Sequence, residues 1–178
     1  MLIVILFLLM NLGHAQQMLG KVAPEFETFK WYDSSHQIMS PIYLKDFKGK
    51  VIYLHFFQSW CPGCLTEGLP MIKKLSEQYK LDNKVKLLAV QTVFEGFSIN
   101  NESKLRKIRR QFDLEIPMAH DDGGSGNTRG SLLMKKYHTR GTPWVVIISP
   151  KGKIIYTNFH IKFKQATELI NFYKRRAK

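Results

Sequence analysis

The sequence predicts an α/β fold: a central mixed sheet flanked by helices in three layers, with a β extension at the N-terminus. Three observations carry this. The apolar run Val51–Phe57 passes straight into a stretch with Leu65, Leu69, Ile72, Leu75 and Tyr79 at spacings of 4, 3, 3 and 4. A short continuous apolar run reads as a buried strand, and the 3–4 spacing as a helix. Residues 85–93 form a second apolar strand, which closes a βαβ unit with the first. Residues 144–148 and 154–159 flank a tight turn at Pro150-Lys151-Gly152-Lys153 and read as a hairpin.

The remaining elements follow in order. Gly20-Lys21-Val22-Ala23-Pro24-Glu25-Phe26 leads into an aromatic stretch ending at Tyr32, and Asp33-Ser34-Ser35 is a turn cluster. A short hairpin is expected there, ending near Leu44. Asp46-Phe47-Lys48-Gly49-Lys50 turns the chain into the first central strand. Residues 104–112 read as a helix with Leu105, Ile108 and Phe112 on one face. Its other face holds Lys104, Arg106, Lys107, Arg109 and Arg110, a basic stripe that could dock an acidic partner or a membrane surface. Residues 116–119 are a short extended piece. Residues 121–130 form a Gly-rich loop without the Gly-Lys-Ser/Thr ending of a phosphate loop. Residues 131–137 read as a short helix, and residues 164–176 as the last one, with Ala166, Leu169, Ile170 and Tyr173 as its apolar face.

The 178 residues suffice for one domain with a sizeable core. Hydrophobic content of 44% and charged content of 23% are those of a globular protein. A net charge of +13 favours acidic partners, anionic lipid or nucleic acid, but no nucleic-acid motif accompanies it. Residues 1–10 are apolar and too few to span a bilayer. They fit the core of a secretory signal, with Gly13 and Ala15 before a cut near Gln16, although no Lys or Arg precedes them. The expectation is a signal peptide over 1–15, cleaved or kept as an anchor, and a single domain over 16–178.

Both cysteines of the chain lie in Trp60-Cys61-Pro62-Gly63-Cys64, where the first strand feeds the first helix. Cys61 falls at the helix N-terminus, where free N–H groups and the helix dipole favour a thiolate. Two cysteines in one motif leave no structural disulfide framework. A zinc site needs four ligands, and one CxxC supplies two, so no metal is expected. Export and a CxxC together indicate a redox-active pair outside the cytosol.

Trp60-Cys61-Pro62-Gly63-Cys64 at a strand-to-helix junction, with Gly141-Thr142-Pro143 opening a strand about 80 residues later, resembles the thioredoxin superfamily. The Gly20–Phe26 segment and the turn at 46–50 look like its TlpA/ResA-type branch of exported thiol-disulfide oxidoreductases. The resemblance covers most of the chain after residue 20. It implies a thioredoxin-like fold and a cis Pro143 facing the cysteines. There are departures. His55 stands where thioredoxins carry a buried Asp. Glu67 matches the branch's glutamate, but Gly68 and Leu69 put one extra residue before Pro70.

The implied reaction is thiol-disulfide exchange without a cofactor. Cys61 is the attacker and Cys64, one turn in, the resolver. Glu67 could accept the Cys64 proton, and a neutral His55, pointing towards the pair from beneath, could relay it. Thr142 would present its backbone to an extended substrate, Pro143 a flat surface beside Cys61, and Trp60 a shield. The partners implied are exported proteins bearing disulfides or thiols, and a membrane protein as electron donor. Two other functions share parts of this pattern. A thiol peroxidase would carry Thr or Ser at Gln58 and Pro at Leu54. A copper-delivery protein could use Cys61, Cys64 and a histidine such as His138, but relatives of that kind space their cysteines by three residues.

Overall fold

Strand β2 (Val51–Phe57) is the axis of the sheet, because all seven of its residues are buried. Alternation sends Val51, Tyr53 and Phe57 to one face and Ile52, Leu54 and Phe56 to the other. A strand apolar on both faces needs cover on both sides. The structure, a computed structural model, describes residues 18–26, 30–124 and 130–177. The expected signal peptide over 1–15 lies outside the described residues.

Among these residues the sheet has six strands, in the order β1 (Trp31–Tyr32), β4 (Met118–Asp121), β3 (Val85–Thr92), β2, β5 (Trp144–Ile148), β6 (Ile154–Asn158). β2, β3 and β4 are parallel, and β1, β5 and β6 run against their neighbours. The α-helices are α1 (Leu69–Gln78), α2 (Glu102–Gln111), α3 (Leu132–Lys136) and α4 (Phe163–Arg175). Leu69, Ile72 and Leu75 of α1, Leu105 and Ile108 of α2, and Ala166 and Ile170 of α4 pack on the Tyr53 face. Leu133 at α3 and Tyr137 just after it cover the other face, together with Phe26, Trp31 and Ile42 from the N-terminal extension.

That extension touches both edges of the sheet. At one edge Gly20 and Ala23 donate to Ile154 and Gly152, each at 2.8 Å. At the other, β1 pairs with β4, Trp31 opposite Ala119 and Tyr32 opposite Met118. The expected hairpin before residue 44 is therefore reduced. Tyr32 and Ile38 make a single antiparallel bridge, closed by Gln37 N–H on Asp33 Oδ1 at 2.8 Å. The short extended piece at 116–119 overlaps β4, which begins at Met118. Its partner β3 aligns Ala89 with Met118.

The basic stripe on α2 is narrower than its sequence suggests. Arg109 is only 4% exposed. Its guanidinium donates to Leu114 O at 2.7 Å, Ile116 O at 2.9 Å and Tyr32 O at 3.1 Å. It ties the helix end to β1 and to the entry of β4, and leaves Arg106, Lys107 and Arg110 as the exposed cations of that face.

Candidate active site

The approach to the cysteines is fixed by a buried polar knot. Gln58 and Ser59 follow β2 and are both buried, where unmet polar groups are costly. Asn100, 1% exposed, meets them. Its Oδ1 accepts from Ser59 N–H at 3.1 Å and from the Ser59 hydroxyl at 2.9 Å, and its Nδ2 donates to Thr92 O at 3.2 Å. Nothing near Asn100 in the sequence signals this role, because its partners lie 8 to 42 residues away.

The knot delivers Cys61 half-buried and Cys64 buried, as two free cysteines. Cys64 N–H donates to Cys61 Sγ at 3.3 Å, and the Cys61 thiol donates to Thr142 O at 3.4 Å. One N–H donor thus points where a sulfur carrying negative charge would use it. Burial, and then the adjacent Cys61 sulfur, push the Cys64 thiol well above its ordinary range. The Thr142–Pro143 peptide is cis, and the Pro143 ring lies against Gly63.

The helix after the cysteines opens with a π turn over Cys64–Gly68, in which Leu69 N–H reaches Cys64 O. A π turn absorbs one residue more than an α turn. It accommodates the extra residue between Glu67 and Pro70, which was the one sequence signal of irregularity here. The turn also brings the backbone of Gly68 onto His55. A Cβ on Gly68 would sit 2.8 Å from His55 Cε1 and Nε2 and 3.1 Å from Pro143 Cβ, so glycine is required for the close approach.

His55 is 1% exposed, in line with the rings of Tyr53 and Phe57, and neither ring nitrogen has a partner among the described residues. Burial, reinforced by His160, lowers its pKa to about 3. The ring therefore lies beneath Gly68 and Pro143, in its neutral form. It borders a cleft of about 580 Å3 that Glu67, Gly68, Pro143 and His160 also line. Glu67 is exposed at the mouth, with Oε2 3.5 Å from His160 Nδ1, and makes no hydrogen bond to Cys64 among the described residues. His160 escaped the sequence reading because it lies in the loop before α4, far along the chain.

Trp60 is 39% exposed and leans outward from the pair. Its Nε1 and the Ile99 side chain both converge on Gly96, whose φ is +61°. Phe94 and Phe97 of the same loop are also exposed. Four of the expected site residues, Cys61, Cys64, Thr142 and Pro143, thus meet at one point. His55 and Glu67 meet at the neighbouring cleft, and Trp60 stands at the rim. Among the described residues no three His, Cys, Asp or Glu side chains are grouped to hold a metal ion.

Comparison with known proteins agrees with this geometry. Residues 18–170 match the Redoxin family. The thiol-disulfide oxidoreductase ResA of Bacillus thuringiensis subsp. konkukian is 30% identical over 158 residues, 89% of this chain and 78% of that protein. The sporulation thiol-disulfide oxidoreductase A of Bacillus subtilis is 32% identical over 107 residues, 60% of this chain and 58% of its own length. Among solved structures, the thioredoxin-like superfamily protein SPOA0173 superposes with a TM-score of 0.76 at 27% identity, covering 86% of this chain and 96% of that one. A thiol-disulfide isomerase from Corynebacterium glutamicum gives 0.68 at 26% identity, covering 85% and 96%. The chain belongs to the Redoxin family, within the thioredoxin superfamily, and is a ResA-like thiol-disulfide oxidoreductase.

Proposed function

We propose that the chain reduces disulfides of exported proteins through Cys61 and Cys64, outside the cytosol, with a membrane protein renewing its electrons. The observation that carries the cysteine roles is the asymmetry of the pair. Cys61 is accessible, with Cys64 N–H and Thr142 O both on its sulfur, and Cys64 is buried behind it. In the first step the Cys61 thiolate attacks one sulfur of the substrate disulfide. The substrate S–S bond breaks, its second sulfur leaves as a thiolate, and a mixed disulfide forms. In the second step Cys64 loses its proton and attacks Cys61 Sγ. The Cys61–Cys64 bond forms, and the substrate departs with two electrons and, after protonation, two thiols.

The second step needs a base, because burial disfavours a thiolate at Cys64. Glu67, three residues on from Cys64 and exposed at the mouth of the cleft shared with His55, is the acceptor in this reading. An imidazole held down to about 3 is too weak a base to keep a proton drawn from that thiol. His55 acts instead as a neutral wall against which Gly68 packs. Thr142, beside the cis Pro143, offers its backbone to an extended substrate, and Trp60, Phe94 and Phe97 offer apolar contact around it.

The direction of electron flow is tested by the reduction potential of the Cys61–Cys64 pair in a dithiothreitol or glutathione series. A reductant has a value of about −270 mV, like thioredoxin. A value of about −120 mV would make the chain an oxidant and remove the need for an electron donor.

A further inference from the structure

Away from the cysteines, Ser34, Ser35, His36, Arg106, Arg109 and Arg110 border a cavity of about 500 Å3. Its place follows from the topology. Arg109 is tied to the carbonyls of Leu114 and Ile116, which precede β4, whereas the CxxC follows the C-terminal end of β2. β2, β3 and β4 are parallel, so the cavity opens toward the other end of the sheet.

Three guanidinium groups and the His36 imidazole share its lining with the carboxylates of Asp113 and Glu115. The Arg109 guanidinium is buried, bonded only to carbonyls, and its Nε has no partner among the described residues. Asp33 acts on it only at a distance, without an ion pair among the described residues, and a buried charge so weakly compensated is costly. Arg106 and Arg110, one helical turn apart on α2, add two exposed guanidinium groups, and neither has a carboxylate within 4.0 Å among the described residues. The carboxylates at the rim are engaged elsewhere. Asp113 holds Lys73 at 2.7 Å and Glu115 holds Lys80 at 2.8 Å. His36 stacks on Tyr32 at 4.4 Å with its Nδ1 buried and unpartnered, and Ser34 and Ser35 expose their hydroxyls at the loop tip. Burial, then Arg106 and Arg109, hold the His36 imidazole below its ordinary range, which marks how closely the cations crowd it.

We infer that this cavity is a binding site for a phosphate-class oxyanion, held by Arg106 and Arg110 over the buried Arg109, with the Ser34 and Ser35 hydroxyls as further donors. Donors arriving from a helix and from a facing loop suit a tetrahedral anion with several oxygens and up to two charges. A carboxylate offers two oxygens and one charge. The phosphate is either free or the headgroup of an anionic lipid, and the two sources are separable.

The test is calorimetric titration of the full chain with inorganic phosphate. The parent chain is expected to bind saturably, and R106A/R110A at least tenfold more weakly. K104A/K107A removes the same charge from the same helix outside the cavity, and is expected to stay within twofold of the parent. Exchange of a small disulfide is expected to be unchanged in both double variants, so this site and the thiol chemistry stand or fall separately. Co-sedimentation with phosphatidylglycerol vesicles then assigns the source. Retention lost in R106A/R110A alone means a headgroup, and phosphate binding without such retention means the free anion. Equal weakening in both double variants, or no saturable phosphate binding by the parent, would overturn the site.

Discussion

His55 is the titratable residue of the candidate site that burial holds in one form across the physiological range. Its pKa falls from 6.5 to about 3 in the fold, first through burial and then through His160. Between those values the unfolded chain binds a proton that the native chain refuses. The native state therefore loses stability as pH falls below 6.5, and by pH 5 the loss is roughly 2 kcal/mol. Replacing His55 by leucine keeps an apolar side chain of similar size and removes the titration. Urea unfolding at pH 7 and pH 5 is expected to show H55L losing about 2 kcal/mol less than the parent between the two. Equal losses would mean that His55 is not held neutral. The sequence identified His55 as a residue facing the site. It could not show that the ring sits under Gly68 with both nitrogens unpartnered, because that depends on a turn formed by another element.

At the scale of elements, the π turn over Cys64–Gly68 and the knot around Asn100 set the site's shape. A methyl group on Gly68 would meet the His55 ring at 2.8 Å, inside a helix that has no slack there. G68A is expected to destabilise the chain by about 1–3 kcal/mol. H55A in the same chain frees the space, so the double variant should cost less than the sum of the two singles, by about 0.5 kcal/mol or more. Strict additivity in urea unfolding would contradict the contact. Asn100→Ala strips Ser59 and Gln58 of their buried partners, and thermal unfolding should report a loss of about 1–3 kcal/mol. A variant as stable as the parent would mean that other groups hold the approach to Cys61. The central elements were legible because burial on both faces leaves a local signature, as in Val51–Phe57. β1, with two residues, and the clamp of Arg109 on three distant carbonyls leave none. Such contacts are decided by which backbone groups the finished fold leaves unmet.

Over the whole molecule, chemistry and charge lie apart. The proposed exchange site lies at the C-terminal end of the parallel strands, where Cys61 follows β2. The exposed arginines of α2 face a cavity toward the other end. Read from sequence, the CxxC and the Gly-Thr-Pro were enough to find the first, because each motif carries its own geometry. The second was visible only as a basic stripe, since the loop at 33–37 that completes it is 70 residues distant in the chain. Attack by Cys61 and resolution by Cys64 are separated by trapping the mixed disulfide. C64S and C61S are each mixed with a disulfide-bonded protein substrate such as oxidised insulin and analysed by mass spectrometry. C64S is expected to accumulate a mixed disulfide at Cys61, and C61S to form none and lose exchange activity. An adduct at Cys64 in C61S, with exchange retained, would contradict the account.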